Sequence, residues 1–200
     1  MTEPQTLQVA FKEWASIVRA LELGEQALIL RKGGISEDGG AFAVEHRRFL
    51  LFPTFVHQQE SGLEPRGLEL LADVKATEPA PAILRISSFA EIVDSPLVRS
   101  AEALAALRPF HLWSESVVQE RFRRWKDHSV HALLVRTSTL AEPVEVPLTA
   151  DHAGCRSWVQ VDRAVSLEGA KPALDDSAFA ALASRIRAAL LCAEGQDPRP

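Results

Sequence analysis

The fold is decided at residues 24–34, GEQALILRKGG, where a predicted helix ends and a predicted strand begins. The apolar residues before this stretch recur at spacings of three and four, which predicts an amphipathic helix over residues 6–23. The members of this stripe are Leu7, Phe11, Trp14, Val18 and Leu21. Gly24 is placed to end the helix as a C-cap glycine. The short apolar run at 27–30, bounded by polar residues, is typical of a strand covered on both faces.

The rest of the chain mixes helices and strands without regular alternation. Strand patterns occur near residues 42–44, 49–52, 83–86, 132–135, 144–148 and 159–161, and helix patterns over 65–71, 97–107, 115–126 and from Asp176 or Ser177 onward. Pro53 is expected to end its strand, because proline cannot donate to a central ladder. The order predicts the α+β class: a single compact mixed domain over residues 1–194, with a largely antiparallel sheet or small barrel and flanking helices, then a flexible C-terminal tail at 195–200. The residues expected in its core are Trp14, Phe49, Leu51, Phe122 and Leu134.

Composition limits the class of protein. With 200 residues, 46% hydrophobic and 24% charged, the chain is neither collagen-like, a coiled-coil rod nor wholly disordered. No apolar run approaches the roughly 20 residues that span a bilayer, and the N-terminus lacks a signal-peptide pattern. Two cysteines are too few for a disulfide framework or a cysteine-built zinc site, so we expect a protein of the reducing cytoplasm. We also expect no membrane partner and no cofactor. The net charge of -5 weighs against a dedicated nucleic-acid binder, although local basic patches can exist.

Two histidines flank a buried run in the densest polar and aromatic segment, residues 45–59. His46 precedes the run and His57 follows it. If the fold brings both imidazoles to one cleft, they can act as acid and base, bind an anion or ligate a metal. Their separation matches no zinc motif and no third ligand is apparent, so we predict no metal site. Partly exposed histidines that only fix a turn are an alternative of equal standing.

Two basic groups are candidates for holding phosphate. Arg31 and Lys32 stand at a strand end before two glycines, where charge and free backbone amides can bind an anion together. They lack the spacing of a P-loop, and a solvated basic strand end is the alternative. Arg121 and Arg124 lie three residues apart near the end of a predicted helix, where cations offset the helix dipole. Together with Arg47 and Arg48 they can also form a positive surface for a phosphate backbone.

The segment at 154–158 joins a thiol, a cation and an aromatic ring: Cys155, Arg156 and Trp158. A catalytic cysteine needs a nearby base, which His57, His111 or His152 supplies only if the fold brings one close. A small buried cysteine ahead of a strand is the more common state, and the reactivity of Cys155 stays open.

Compact motifs are spread from about residue 9 to 161. They are the run at 23–35, FxVEH at 42–46, FxLFPT at 49–54, HQ at 57–58, HLWS at 111–114, VxxRF at 118–122, LVR at 134–136 and GCRSW at 154–158. In these motifs the chain resembles the bacterial family catalogued as domain of unknown function 1802. The resemblance implies no particular reaction and indicates only which polar residues occur together.

Three functions are compatible with the sequence. The first is a binding module whose cleft receives a phosphorylated or nucleic-acid ligand, with cations positioning phosphate and tryptophan stacking a base. Its predicted ligand-binding residues are Arg31, Lys32, His46, Arg48, His57, Gln58, Trp113, Arg121, Arg124, Arg156 and Trp158. The order of strands and helices resembles that of small PUA-like and ASCH-like barrels, which bind RNA or modified bases.

The second function is a hydrolytic enzyme with His46 or His57 as general base. Arg31 or Arg121 would then stabilise an anionic transition state. The third is a non-catalytic scaffold whose motifs serve packing. The sequence leaves open whether the protein is an enzyme, which ligand it takes and its oligomeric state.

Overall fold

The described part of this computed structural model covers residues 5–32, 44–55, 58–124, 126–154 and 156–194, and it contains eight strands and five α-helices. The strands are β1 (Thr6–Trp14), β2 (Leu28–Arg31), β3 (Arg48–Thr54), β4 (Ile83–Asp94), β5 (Leu97–Val98), β6 (Val130–Pro147), β7 (Trp158–Ser166) and β8 (Lys171–Pro172). The helices are α1 (Ala15–Glu22), α2 (Pro65–Ala76), α3 (Ala101–Ala106), α4 (Glu115–Arg123) and α5 (Asp176–Glu194). The predicted α+β class is confirmed. None of these helices is long and apolar enough to cross a bilayer.

The strands form one open mixed sheet in the order β2-β6-β4-β3-β1-β7. β1 and β3 run parallel, and the remaining pairs are antiparallel. β2 and β7 stand at opposite ends of this order, yet Arg31 at the end of β2 hydrogen-bonds to Ser157, the residue before β7. The sheet therefore curves until side chains from its two ends meet.

Alternation along β3 divides the core into two apolar clusters. Phe49 and Leu51 belong to one cluster, whereas Leu50 and Phe52 belong to the other, as expected when successive side chains point to opposite faces. The first cluster also contains residues of α1, α3, α4 and α5, so helices cover that face. The buried members of the second cluster all lie on strands, which means that the curved sheet encloses it.

The predicted helix over residues 6–23 is wrong in its first half. Residues 6–14 form β1, and only Ala15–Glu22 are helical. β1 lies between β3 and β7 in the sheet, so its backbone groups are satisfied by strand pairing on both sides. From Val9 to Phe11 successive side chains alternate between the two clusters, and a shift in the pairing with β7 between Leu7 and Val9 puts Leu7 in the same cluster as Ala10. Tertiary pairing therefore decided between two compatible periodicities.

The two strands predicted at 132–135 and 144–148 are one strand, β6. The threonine, serine and proline residues between them were expected to separate the two strands, and Pro143 is the strongest of these signals. The pairing of β4 with β6 shifts between Ile86 and Ser88, whose partners are Val144 and Thr139, and Pro143 falls in this irregularity. A bulge leaves residues outside the ladder, so the missing N–H of a proline is tolerated there.

Pro53 does not end its strand either. It lies within β3 and is paired in register with Glu13 of β1. β3 pairs with β4 only from Arg48 to Leu50, so at Pro53 the strand has one paired neighbour. A proline is tolerated at such an edge-like position.

Most of the predicted core is confirmed. Phe49, Leu51, Phe122 and Leu134 are buried, and Trp14 is half-buried and packs against the first cluster. The strand predicted near residues 42–44 lies largely outside the described residues, as does the tail predicted at 195–200.

Candidate ligand-binding cleft

A large open cleft lies where the two ends of the curved sheet meet. Its walls include the ends of β1 and β2, the end of α4 and the loop before β7. Its volume of about 1960 Å³ exceeds the roughly 300–1,000 Å³ of ordinary small-molecule pockets. The cleft therefore has room for an extended ligand.

The cleft is positively charged although the whole chain is acidic. Eight lysine and arginine side chains stand against five carboxylates among its described lining residues, while the chain carries a net charge of -5. The cations are Lys12, Arg19, Arg31, Lys32, Arg85, Arg121, Arg124 and Arg156. Arg124 and Arg156 are exposed and therefore free to follow a ligand. The arrangement favours an anion.

Arg31 is held on one side of the cleft by three groups. Its Nε and Nη2 donate to Oγ of the buried Ser157 at 3.0 and 2.9 Å. Its guanidinium lies over the ring of Phe11, 5.0 Å from the centroid. Its Nη1 is 3.9 Å from Oε2 of Glu13, and its side chain keeps 20% exposure. This cation is fixed in place without being fully enclosed.

Arg121 reaches the same carboxylate from α4. Its Nη2 is 4.0 Å from Oε1 of Glu13, and its Nη1 donates to the backbone oxygen of Leu30 at 2.9 Å. The guanidinium lies 4.6 Å from the ring centroid of Trp113 and 5.5 Å from that of Trp14, positions suited to cation–π attraction. Burial lowers the pKa of Arg121 to about 10, against the opposing effect of Glu13. Arg121 still carries its charge at neutral pH.

Two lysines at the cleft are engaged by protein oxygen atoms. Nζ of Lys12 donates to the backbone oxygens of His152 and Gly154 at 2.6 and 2.8 Å. Nζ of Lys32 donates to the backbone oxygen of Asp127 and, at 3.3 Å, to Oγ of Ser129. Partial burial lowers the pKa of Lys32, while the charge of Asp127 opposes that effect. Both lysines therefore tie loops to the cleft in addition to contributing positive charge.

The structure brings together five of the residues predicted to bind ligand: Arg31, Lys32, Arg121, Arg124 and Arg156 all line the cleft. Of the positive surface expected from Arg121 and Arg124 with Arg47 and Arg48, only the first two are among the described lining residues. Arg47 is placed elsewhere, on Glu91 at 3.1 Å, outside the described lining.

Other predicted residues are used for packing. His46 and Trp158 contact each other with ring centroids 5.3 Å apart, and Trp158 also contacts Phe11 and Phe49. Arg48 lies over the ring of Phe89 at 5.3 Å. Neither His46 nor Trp158 is among the described residues that line the cleft. The described residues do not place an acid–base histidine in it from this segment.

Gln58 and Trp113 are committed to the protein itself. Oε1 of Gln58 accepts from the backbone N and from Oγ of Ser16, both at 2.9 Å. Trp113 has 0% exposure, so its ring faces Arg121 and not the outside, where a base would have to stack. The predicted residues His57 and Cys155 lie outside the described residues, as does Trp125.

Sequence reasoning missed Glu13 and misjudged Trp14. Glu13 fell within the predicted helix and was not considered as a site residue. Trp14 was assigned to the core, but it is half-buried and also lines the cleft. A charged residue at a buried position of an apolar strand is the signal that could have drawn attention to Glu13. That signal becomes visible only when residues 6–14 are taken as a strand.

No group of three or more histidine, cysteine, aspartate or glutamate side chains is placed to hold a metal ion in the described ranges. Two of the carboxylates of the cleft are paired with cations instead: Glu13 lies between Arg31 and Arg121, and Glu22 pairs with Arg19. Its chemistry in the described part of the chain is that of ion pairs and aromatic rings.

Comparison with known proteins gives one family and one group of solved structures. A family model described as Domain of unknown function (DUF1802) matches residues 10–185. Crystal structures of ASCH from Zymomonas mobilis are 12% identical to this chain. One has a TM-score of 0.42 and is covered over 93% of its length by 88% of this chain. A variant of it has a TM-score of 0.46, with 97% and 90% covered. No curated protein matches. At these identities and TM-scores, the ligand has to be inferred from this chain's own residues.

Proposed function

The chain belongs to the family described as Domain of unknown function (DUF1802), and we propose that it is a cytoplasmic binding module whose cleft holds the phosphate groups of a nucleic acid. The observation that carries the proposal is the reversal of charge in the cleft. An acidic chain concentrates eight cations against five carboxylates there, including the exposed Arg124 and Arg156. Such a local field attracts a polyanion in spite of the net charge.

The shape of the cleft favours a strand over a small phosphorylated molecule. Its volume is well above that of an ordinary small-molecule pocket, and it is open to solvent. The exposed cations Arg124 and Arg156 would contact phosphates, and Trp14 at the wall would offer an aromatic surface to a base. Cations of this kind give affinity without sequence preference. We therefore expect binding to short single strands with little selectivity between sequences.

The test is a salt titration of binding to short single- and double-stranded RNA and DNA. Arg124→Gln/Arg156→Gln is compared with the wild type, because both side chains are exposed and their loss should leave the fold intact. We expect binding weakened at least tenfold at about 50 mM salt. The slope of log K against log salt should flatten by about 1.4 for a single strand, since each lost contact removes about 0.7.

A matched variant controls for net charge. Arg163→Gln/Lys171→Gln removes two exposed cations that are not among the described lining residues of the cleft. It changes the charge of the chain equally and should leave affinity within about twofold, because exposed charges outside the binding site are screened by salt. No binding by the wild type at low salt, or equal losses in both variants, would contradict the proposal. Binding only of a phosphorylated mononucleotide would assign the cleft to a small molecule.

A further inference from the structure

The floor of the cleft contains a buried carboxylate between two arginines. Glu13 has 0% side-chain exposure, and its two oxygens lie 3.9 Å from Nη1 of Arg31 and 4.0 Å from Nη2 of Arg121. Both arginines keep some exposure, 20% and 16%. One carboxylate therefore lies between two cations that reach the cleft from distant parts of the chain.

The distances from the Glu13 oxygens to the two guanidiniums differ from those of a hydrogen-bonded ion pair. In a hydrogen-bonded ion pair, the arginine nitrogens lie about 2.7–2.9 Å from the carboxylate oxygens, and two hydrogen bonds often form at once. Here both separations are too long for a hydrogen bond. Oε1 of Glu13 accepts from the backbone N of Trp14 at 2.8 Å, and Oε2 has no hydrogen-bond partner among the described residues.

The arginines consequently keep unused donors. A guanidinium carries five N–H groups. Among the described residues Arg31 gives two to Ser157, and Arg121 gives one to the backbone of Leu30. Guanidiniums that are partly dehydrated and hold spare donors in fixed positions match the oxygens of a phosphate.

We infer that Arg31 and Arg121 form a phosphate subsite in the floor of the cleft, with Glu13 as its positioning residue. The inference deepens the proposed function, on which it rests for the natural ligand. Glu13 does not touch the ligand, because it is fully buried. It keeps the two like-charged guanidiniums near each other, and the anion then binds to the donors that Glu13 leaves free. One phosphate group has several oxygens and can contact both guanidiniums, because they lie 3.9 and 4.0 Å from the same carboxylate.

A glutamine at position 13 separates this role from simple electrostatics. Glu13→Gln raises the charge of the cleft by one, so long-range attraction alone would strengthen binding of an anion. Loss of the positioning carboxylate should weaken it instead. Glu120→Gln is the matched control, because it removes an exposed carboxylate of the same cleft and should bind as well as the wild type or more tightly.

The experiment follows the side-chain Nε–H signals of the arginines by NMR while inorganic pyrophosphate is added. In the wild type we expect the signals of Arg31 and Arg121 to shift, and affinity to fall at least tenfold in Glu13→Gln. Glu13→Asp, which restores the charge one methylene farther away, should recover part of the affinity. The wild-type titration and the aspartate variant keep the test decisive if the glutamine variant does not fold.

Two results would overturn the inference. One is a wild-type titration in which neither arginine signal moves, and the other is a Glu13→Gln protein that binds pyrophosphate at least as tightly as the wild type. Failure of the proposed function looks different. If the arginine signals move with pyrophosphate while no nucleic acid binds, the subsite stands and the natural ligand is a different phosphate compound. If nucleic acid binds and the signals stay, the subsite alone is wrong.

Discussion

His111 is a buried histidine next to the cleft arginine Arg121. It is 5% exposed, and its ring centroid lies 5.8 Å from that of Trp113. Burial, and after it the charge of Arg121, lower its pKa to about 4, whereas Glu115 acts in the opposite direction. The imidazole is therefore neutral at pH 7 in the folded protein.

This histidine should make the protein less stable in mild acid. Unfolded histidine takes up a proton near pH 6.5, whereas the folded state resists until about pH 4. The free energy of unfolding should therefore fall as the pH drops from 6.5 to 4, by up to about 3 kcal/mol. Urea unfolding at pH 7 and pH 4.5 measures it. His111→Gln should lack this part of the pH dependence, and His128→Gln, at an exposed position, should retain it. Equal pH profiles for the wild type and His111→Gln would contradict the assignment.

At the scale of the element, helix starts were predicted less accurately than helix existence. Asp176 or Ser177 was expected to cap the last helix, but Asp176 is already the first residue of α5. The capping carboxylate belongs to Asp175, whose Oδ1 accepts from the N of Ala178 at 2.8 Å. That bond lowers the pKa of Asp175. The predicted helix over 97–107 is shorter, because residues 97–98 pair with β6 and α3 starts at Ala101.

The cap of α3 supports a prediction at this scale. Ser100 accepts from the backbone N of Ala103 at 3.1 Å and so satisfies one of the unpaired amides at the helix start. Ser100→Ala should lower the free energy of unfolding by about 1 kcal/mol, and Ser100→Asp should keep most of it because aspartate caps equally well. Chemical denaturation of the three proteins checks this. Equal stability of the wild type and the alanine variant would show that the cap contributes nothing.

At the scale of the whole molecule, a ligand in the cleft should stabilise the fold. The walls of the cleft include residues of β1, β2, α4 and the loop before β7, which are distant in sequence, so unfolding destroys the site entirely. A nucleic acid at 100 times its dissociation constant should add about 2.7 kcal/mol to the free energy of unfolding. Thermal melts with and without a short single strand measure this. At a constant concentration of nucleic acid, this gain in the free energy of unfolding should shrink as the salt concentration rises, because electrostatic binding weakens. A gain that is independent of salt would argue against phosphate contacts.

The sequence by itself determined the class of the fold and most of the strands and helices that pack against each other. Runs such as 27–30 and 49–52 are apolar enough that burial is their only stable environment, and their residues are buried in the structure. The local patterns also singled out Arg31, Lys32, Arg121, Arg124 and Arg156, all of which line the cleft. Clusters of charged residues can be recognised in the sequence without knowledge of the fold.

Only the tertiary structure decided between helix and strand at residues 6–14 and gave each polar side chain its partner. The same residues fit a helical stripe and an alternating strand, and pairing with β3 and β7 selected the strand. That choice placed Glu13 between Arg31 and Arg121, although they are far apart in sequence. The tertiary structure also leaves Trp113 buried and unable to stack a ligand. Local periodicity indicates which residues are buried, whereas the partner of a buried charge depends on the curvature of the whole sheet.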